Sequence, residues 1–568
     1  MYVIQEAKQQ ILTELKKAVG KGYVPSLNDL DTPPDTSMGD VAFPCFELAK
    51  KLKKSPKDIA VEIAAKIAPK DYVGHVKAVG PYVNFTYSHE GFGAGVMGQV
   101  KDMKEKYGTS NVGEDKRLMV EFANLNSHKD VHVGHLRNLF VGQMTTEIFK
   151  ANGYDVIPVA YINDLGLHVA KSIWATKTFH DIEDVPEDQQ MEFLRNVYVE
   201  ANKKLEEKPE LKSEVTEVFQ ALENQRGDDV ALWKKTRTWS LDYLKEVYDE
   251  LNLTIDHWYF ESELIKKTRK ILDELIKEGL VVQSEGAWIV DLRDEDLGVN
   301  LLIKSDGTLL YNSKDLGLAL KKEEDFHPVR SIYVVDARQS HALRQLFATL
   351  KHMQFDRELT HLSYEFVTLQ DGAMAARKGN VIRYALFRDK MISRAKRETK
   401  ERHPDWSDEQ VLKVARALTF AAMRFGMLKQ DVEKKIVFDL DEAMSFEGFT
   451  GPYVLYMNAR IQSVLTKANK KDFDWNADQL TEVSAHKLLA LLGQYPEIVF
   501  GTSQNLQLSK IPQYLFELAK TFSDFYASAP ILKSEPKVMA QRLALVASVQ
   551  IVLKSGLQLI GIETVDEM

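Results

Sequence analysis

The sequence is poor in cysteine: Cys45 is alone among 568 residues. That excludes a disulfide framework and any zinc site built from several cysteines. Long hydrophobic runs are also lacking. No apolar stretch approaches the roughly 18 residues a bilayer-spanning helix needs, so no membrane association is expected. No signal peptide is expected, because MYVIQEAKQQILTELKKAV at the start reads as an amphipathic helix. Positive charge is in deficit, with 74 Lys and Arg against 83 Asp and Glu and a formal net charge of −9. This argues against indiscriminate binding to nucleic acid, yet leaves room for a specific complex through basic groups on one face. Internal repeats and low-complexity tails are absent. What remains is an ordinary globular composition, 44% hydrophobic and 28% charged, long enough for about three or four domains. A cytoplasmic location is expected.

The most informative stretch runs from Val120 to Asp164, VEFANLNSHKDVHVGHLRNLFVGQMTTEIFKANGYDVIPVAYIND. An apolar strand leads into HVGH, a helix and a second apolar strand. Leu136, Phe140, Met144 and Ile148 recur at helical spacing, Asn152-Gly153 supplies a stop, and YDVIPVAYI resumes as a strand. Such a unit closes a right-handed parallel crossover. The helix start, at the carboxyl end of the first strand, offers unpaired N–H groups and the positive end of the helix dipole to a phosphate. Gly134 has no side chain to keep a purine off the backbone. His132 and His135 can donate to phosphate oxygens as charge builds on a transferring group. Taken alone, the same pattern also fits two surface histidines beside a helix start.

Organisation along the chain divides it further. Residues 1–113 mix helix patterns with short strands such as HVKAVG and YVNFTY, as an α+β domain would, and the polar segment YGTSNVGEDKR at 107–117 marks the boundary. Residues 114–400 are expected to form a Rossmann-type parallel sheet. It is interrupted at about 174–255 by a mostly helical, charged insertion. WIVDL, VNLLIKSDGTLLY and SIYVVDA, the last introduced by His327-Pro328, are expected to complete the split nucleotide fold. After Asp405, Ser407 with Gln410 forms a capping box, and residues 401–568 read as almost entirely helical. A second constellation, DGAMAARKGNVI at 371–382, follows the apolar SYEFVTL and sets Arg377 and Lys378 between two glycines. Such a loop can fold over polyphosphate, or be a basic surface turn.

These motifs resemble class I aminoacyl-tRNA synthetases, and specifically the arginyl-tRNA synthetase family. HVGH looks like that class's HIGH motif, and MAARKGN at 374–380 looks like its mobile KMSKS-type loop. Further carriers are VEFANLNSHKDVHVGHLRN at 120–138, DGTLLYNSKD at 306–315 and IYVVDARQSHALRQLFATL at 332–350. EGFTGPYVLYMNARI at 447–461, FELAKTFSDFYASAPIL at 516–532 and the closing RLALVASVQIVLKSGLQLIGIETVDEM complete the set. The resemblance implies a class I Rossmann-type catalytic domain, an appended N-terminal tRNA-binding domain and a C-terminal all-α anticodon-binding bundle. It implies Glu121, Asn126, His132, Tyr311, Asp315 and Gln339 as arginine-binding residues. Tyr311 and Asp315, four apart, would face one side of a helical turn, and carboxylates with a hydroxyl suit the planar guanidinium. Asn126 and Gln339 would hold the α-amino and carboxylate groups. His132, Gly134, His135, Met374 and Lys378 would bind ATP. His132, His135, Lys129, Arg377 and Lys378 would serve catalysis through positioning and charge. Tyr453, Tyr456, Tyr526, Arg460 and Met568 are the implied tRNA contacts; aromatics at helical spacing also suit a core. Asp164 is either a further substrate contact or the cap of the helix after it.

Implied partners are tRNA(Arg), L-arginine and ATP, the last as its magnesium complex. No zinc and no organic prosthetic group are expected, and a monomer is. The sequence departs from the family in its loop, where Ala375-Ala376 replace hydroxyl-bearing residues. Lys129, three before His132, stands where the family often has a lysine thought to compensate for an incomplete loop. Around Gln339 the usual histidines are shifted or absent, with Ser340 and His341 in their place, and no role is assigned to His341. The same residues leave two other functions open: another class I ligase or adenylyl transferase, and a catalytically idle tRNA-binding paralogue.

Overall fold

The computed structural model describes residues 1–20, 23–369, 382–469 and 473–568. In the N-terminal part, helix α1 (Val3–Val19) repeats Ile4, Ala7, Ile11, Leu15 and Ala18 at three- and four-residue spacing, and all five are buried. Strand β1 (Val41–Pro44), α2 (Phe46–Leu52), α3 (Pro56–Lys66), β2 (Val73–Val79) and β3 (Tyr82–Tyr87) follow. The strands form an antiparallel sheet in the order β1-β3-β2, an α+β unit as expected. Helix α4 (Ala94–Met103) leads out of it.

The central part begins with β4 (Arg117–Glu121), α5 (Val133–Ala151) and β5 (Asp155–Ile162), the strand, helix and strand anticipated around HVGH. Leu118, Met119 and Val120 are all buried, as a strand covered on both faces requires. Four helices then intervene: α6 (Leu167–Phe179), α7 (Gln190–Glu207), α8 (Lys212–Glu223) and α9 (Asp229–Glu250). After them β6 (His257–Phe260) pairs in parallel with β5. Helix α10 (Glu261–Lys277) and strands β7 (Val282–Ser284), β8 (Ala287–Asp291) and β9 (Val299–Ile303) come next, then α11 (Tyr311–Phe326), β10 (Arg330–Asp336), α12 (Ser340–His352) and β11 (Glu358–Tyr364). The sheet order is β11-β10-β4-β5-β6, all parallel. From β4 the chain builds outward to β5 and β6 on one side and later to β10 and β11 on the other. That reversal opens a crevice at the carboxyl ends of β4 and β10.

Two strand expectations do not hold. WIVDL and VNLLI do not complete the parallel sheet; they form β8 and β9 of a separate antiparallel sheet, order β7-β8-β9. Leu309 makes only an isolated bridge with Ile303, and Tyr311 already opens α11. Strand character is legible from composition, but the choice of partner strand is not. SYEFVTL likewise divides. Ser363 and Tyr364 end β11, whereas Val367–Leu369 is β12, paired with β13 (Ile436–Phe438).

The remainder is helical: α13 (Tyr384–Arg402), α14 (Asp408–Leu428), α15 (Leu440–Ala443), α16 (Gly451–Ala468), α17 (Val483–Asn505), α18 (Lys510–Ser528) and α19 (Pro536–Leu559). The capping box holds, with Gln410 N–H donating to Ser407 Oγ at 3.2 Å and Ser407 N–H to Gln410 Oε1 at 2.9 Å. Contrary to the reading of hydrophobic runs, α19 is long and apolar enough to cross a membrane. Its Leu543, Leu545, Val549, Val552 and Leu553 are fully buried, which makes it a core helix of the bundle.

Candidate active site

A cavity of about 570 Å³ opens at the carboxyl ends of β4, β5 and β10. Glu121 closes β4, Asn126 lies in the connection to α5, His135 sits in the first turn of α5, Tyr311 and Asp315 occupy the first turns of α11, and Gln339 follows β10. All six line this one cavity. Helix α11 presents Tyr311, Asp315, Leu318 and Lys322 at the spacing of one face, and both Tyr311 and Asp315 line the cavity. Tyr311 is 67% exposed at the rim, whereas Glu121, at 4%, lies at the floor.

The charges in this cavity are partitioned in a way that the sequence reading missed. Glu121 is ion-paired with Lys322 and accepts from Asn124 Nδ2 at 2.7 Å. Glu261, at the start of α10, is paired with Lys314, and its Oε2 is buried without a hydrogen-bond partner among the described residues. Asp315 has no ion-pair partner among the described residues. Its carboxyl is desolvated and faces Glu121, which together push its pKa up to about 7. Three acids thus share two lysines, and Asp315 is the one carboxyl of the three without an ion pair among the described residues. The 311, 315, 318, 322 spacing could have drawn attention to Lys322. No local signal marks Glu261. Tyr161, on β5, also lines the cavity, its hydroxyl buried and without a hydrogen-bond partner among the described residues.

The histidines meet at the start of α5. His132 is the N-cap, and its backbone N–H donates to His135 Nδ1 at 3.2 Å. That bond leaves the proton of a neutral His135 on Nε2. The two rings stack with centroids 3.5 Å apart, and His132 Nδ1 is buried without a hydrogen-bond partner among the described residues. Burial lowers the pKa of both; that of His132 falls to about 4, with the Lys129 ammonium adding to the effect. His132 borders the helix start rather than the cavity. Lys129 is also outside the cavity, with its Nζ 5.7 Å from the centroid of the Tyr198 ring. Asp164 does neither of the things expected of it. Fully buried, it is ion-paired with Arg237 at 2.6 Å and accepts from Ser262 N at 2.9 Å, so it ties α9 to the start of α10.

Met374, Ala375, Ala376, Arg377 and Lys378 lie outside the described residues. The backbone just after that segment adjoins the signature: Val133 N–H donates to the Ile382 carbonyl at 3.1 Å and Tyr384 N–H to the Val131 carbonyl at 2.9 Å. A second cavity, of about 680 Å³, gathers Tyr456, Arg460 and Met568 with Trp406 and Lys467. The Arg460 guanidinium stacks 4.3 Å over the Tyr526 ring. Tyr453, half-buried, packs against Phe516 with centroids 5.5 Å apart; it belongs partly to the core and does not line the groove.

Residues 97–440 match the family "tRNA synthetases class I (R), catalytic domain", residues 454–568 the "DALR anticodon binding domain", and residues 5–87 the "Arginyl tRNA synthetase N terminal domain". The chain is 36% identical to the arginine–tRNA ligase of Bdellovibrio bacteriovorus, with 98% of each covered. The chain belongs to the arginyl-tRNA synthetase family. The arginine–tRNA ligase of Halothermothrix orenii is 34% identical over 95% of each chain. Among solved structures, Thermus thermophilus arginyl-tRNA synthetase shares the whole arrangement, with a TM-score of 0.81 and 25% identity over 99% of this chain and all of that one. The Plasmodium falciparum arginyl-tRNA synthetase shares the fold, with a TM-score of 0.80. Class I arginyl-tRNA synthetase architecture therefore describes the parallel sheet, the appended N-terminal unit and the helical C-terminal bundle.

Proposed function

We propose that the chain is an arginine–tRNA ligase that activates L-arginine with ATP and transfers it to the 3′ end of tRNA(Arg), releasing AMP and pyrophosphate. The observation carrying this reading is the cavity at the carboxyl ends of β4 and β10, where lysines neutralise Glu121 and Glu261 and leave Asp315 for a guanidinium. Asp315 and Tyr311 would bind that group, with Glu121 contributing the carboxylate oxygen that faces away from Lys322. Asn126 and Gln339 would hold the α-amino and α-carboxylate groups.

In the first step an arginine carboxylate oxygen attacks the α-phosphorus of ATP, and the bond to pyrophosphate breaks. No side chain acts as a nucleophile, so catalysis rests on positioning and charge stabilisation. The neutral rings of His132 and His135 each carry one N–H for the transferring phosphoryl group. Lys129, Arg377 and Lys378 would neutralise the leaving pyrophosphate, Gly134 and Met374 would border the adenine, and magnesium enters as part of the ATP complex. In the second step the terminal ribose hydroxyl of tRNA takes the arginyl group and AMP leaves. The groove of Tyr456, Arg460 and Met568, with Tyr526 and Tyr453 beside it, would receive unstacked anticodon bases. A cytoplasmic monomer whose arginine activation requires bound tRNA completes the reading.

The test is ATP–pyrophosphate exchange with L-arginine, lysine or citrulline, with and without tRNA(Arg). Exchange confined to arginine and dependent on tRNA is expected. Background exchange with arginine and tRNA both present would overturn the assignment.

A further inference from the structure

The helical insertion does more than join β5 to β6. Along α9, Thr236, Ser240 and Tyr243 recur at spacings of four and three, and all three grip the connection that leads into HVGH. The His128 backbone N–H donates to Ser240 Oγ at 2.8 Å, His128 Nε2 lies 2.9 Å from Thr236 Oγ1, and the Val131 N–H donates to Tyr243 Oη at 3.2 Å. Farther along α9, Tyr248 Oη donates to the Ala123 carbonyl at 3.0 Å.

His128 is the centre of this grip. It is 1% exposed and has φ +59°, a left-handed conformation that is strained for a residue with a Cβ. Its ring bonds run in one direction. Thr236 Oγ1 gives its own proton to the Leu232 carbonyl at 3.0 Å, so it accepts from His128 Nε2–H. Ser127 Oγ, 2.9 Å away, then donates to Nδ1. Both nitrogens are satisfied in the neutral ring, and a strained turn persists because its surroundings over-determine it. The very next residue is Lys129, and His132, the N-cap of α5, follows three residues later.

We propose that His128 is a positioning residue for amino-acid activation: clamped to Thr236 and Ser240 of α9, it fixes the left-handed turn that sets Lys129 and the start of α5. The insertion thereby becomes part of the support of the catalytic site. This rests on the ligase reading above.

The experiment measures tRNA-supported, arginine-dependent pyrophosphate exchange on the full chain for Thr236→Val, Thr236→Ser and His128→Gly, together with thermal unfolding. Thr236→Val keeps the volume but removes the acceptor, Thr236→Ser restores a hydroxyl, and His128→Gly keeps the turn accessible while deleting the ring. Misplacement on the ångström scale predicts a fall of about tenfold or more in kcat for Thr236→Val and His128→Gly, with the arginine KM within about twofold of the parent. Thr236→Ser should stay near the parent. Unchanged kcat in Thr236→Val overturns the proposal, as does an arginine KM rising in step with the loss, or a loss that Thr236→Ser shares. If the parent chain itself fails to exchange with arginine, the ligase reading fails instead, a result visible before any variant is compared.

Discussion

Replacing Asp315 with Asn tests the charge partition of the cavity by two independent readouts. Burial and Glu121 raise the Asp315 carboxyl from 3.8 to about 7. A shift of about three units, at 1.36 kcal/mol each, corresponds to roughly 4 kcal/mol of differential interaction between the two protonation states. Because the folded pKa lies above the unfolded one, the empty protein holds this proton more tightly than the unfolded chain. Its stability therefore falls as pH rises from about 4 to about 7 and levels off beyond. Asp315→Asn lacks that loss, so it should match the parent near pH 4 and exceed it at pH 8 by up to roughly 4 kcal/mol in chemical denaturation. The same change should cost on the order of 3–5 kcal/mol in arginine recognition, since a guanidinium is left facing an amide.

Arginine binding adds a sharper test, because a guanidinium favours the carboxylate and expels its proton. For a group titrating at about 7, binding should release about 0.9 proton at pH 6 and about 0.1 at pH 8, and affinity should fall roughly tenfold between pH 8 and pH 6. Calorimetric titration of tRNA-bound protein with arginine, in two buffers of different ionisation enthalpy, reads the released proton directly. His132, at about 4, and His135, also lowered by burial, stay neutral across this window and cannot supply it. Absence of buffer-dependent heat at pH 6, or its persistence in Asp315→Asn, would refute the reasoning.

Two other changes probe the support of the site, and a third probes the groove of the helical bundle. Arg137, fully buried on α5, donates to the carbonyls of Glu365, of Lys434 at 2.7 Å and of Asp431 at 3.0 Å. Arg137→Met strands those acceptors and should cost about 3 kcal/mol in urea denaturation; a neutral result would show that water replaces the guanidinium. Gly142 lets α5 lie against β4's end, since a Cβ there would sit 2.1 Å from Phe122 Cγ. Gly142→Ala should therefore lower stability by about 1–3 kcal/mol, measured by thermal unfolding. Arg460→Ala should raise the tRNA KM about tenfold in aminoacylation and leave the arginine KM in place; an unchanged tRNA KM would remove the groove from tRNA binding.

The sequence by itself determined those parts of the protein that local periodicity and motif order can encode. The strand, helix and strand around HVGH, the α+β start, the helical end and the Ser407 capping box are all set by spacing within one or two turns. Motif order also named Glu121, Asn126, His135, Tyr311, Asp315 and Gln339, which one cavity gathers. Pairing across the chain was decided by the tertiary structure alone. WIVDL and VNLLI have the composition of sheet strands, yet backbone hydrogen-bonding groups carry no address, and they pair with each other rather than with β4 or β10. Glu121 and Lys322 stand 201 residues apart, and only the stacking of α11 on the sheet brings them into contact. Residue type marks Glu121 and Asp315 alike as acids. Burial together with the placement of two lysines makes one of them an ion-paired carboxylate and raises the pKa of the other, because charge state in a desolvated site depends on neighbours that sequence spacing does not specify.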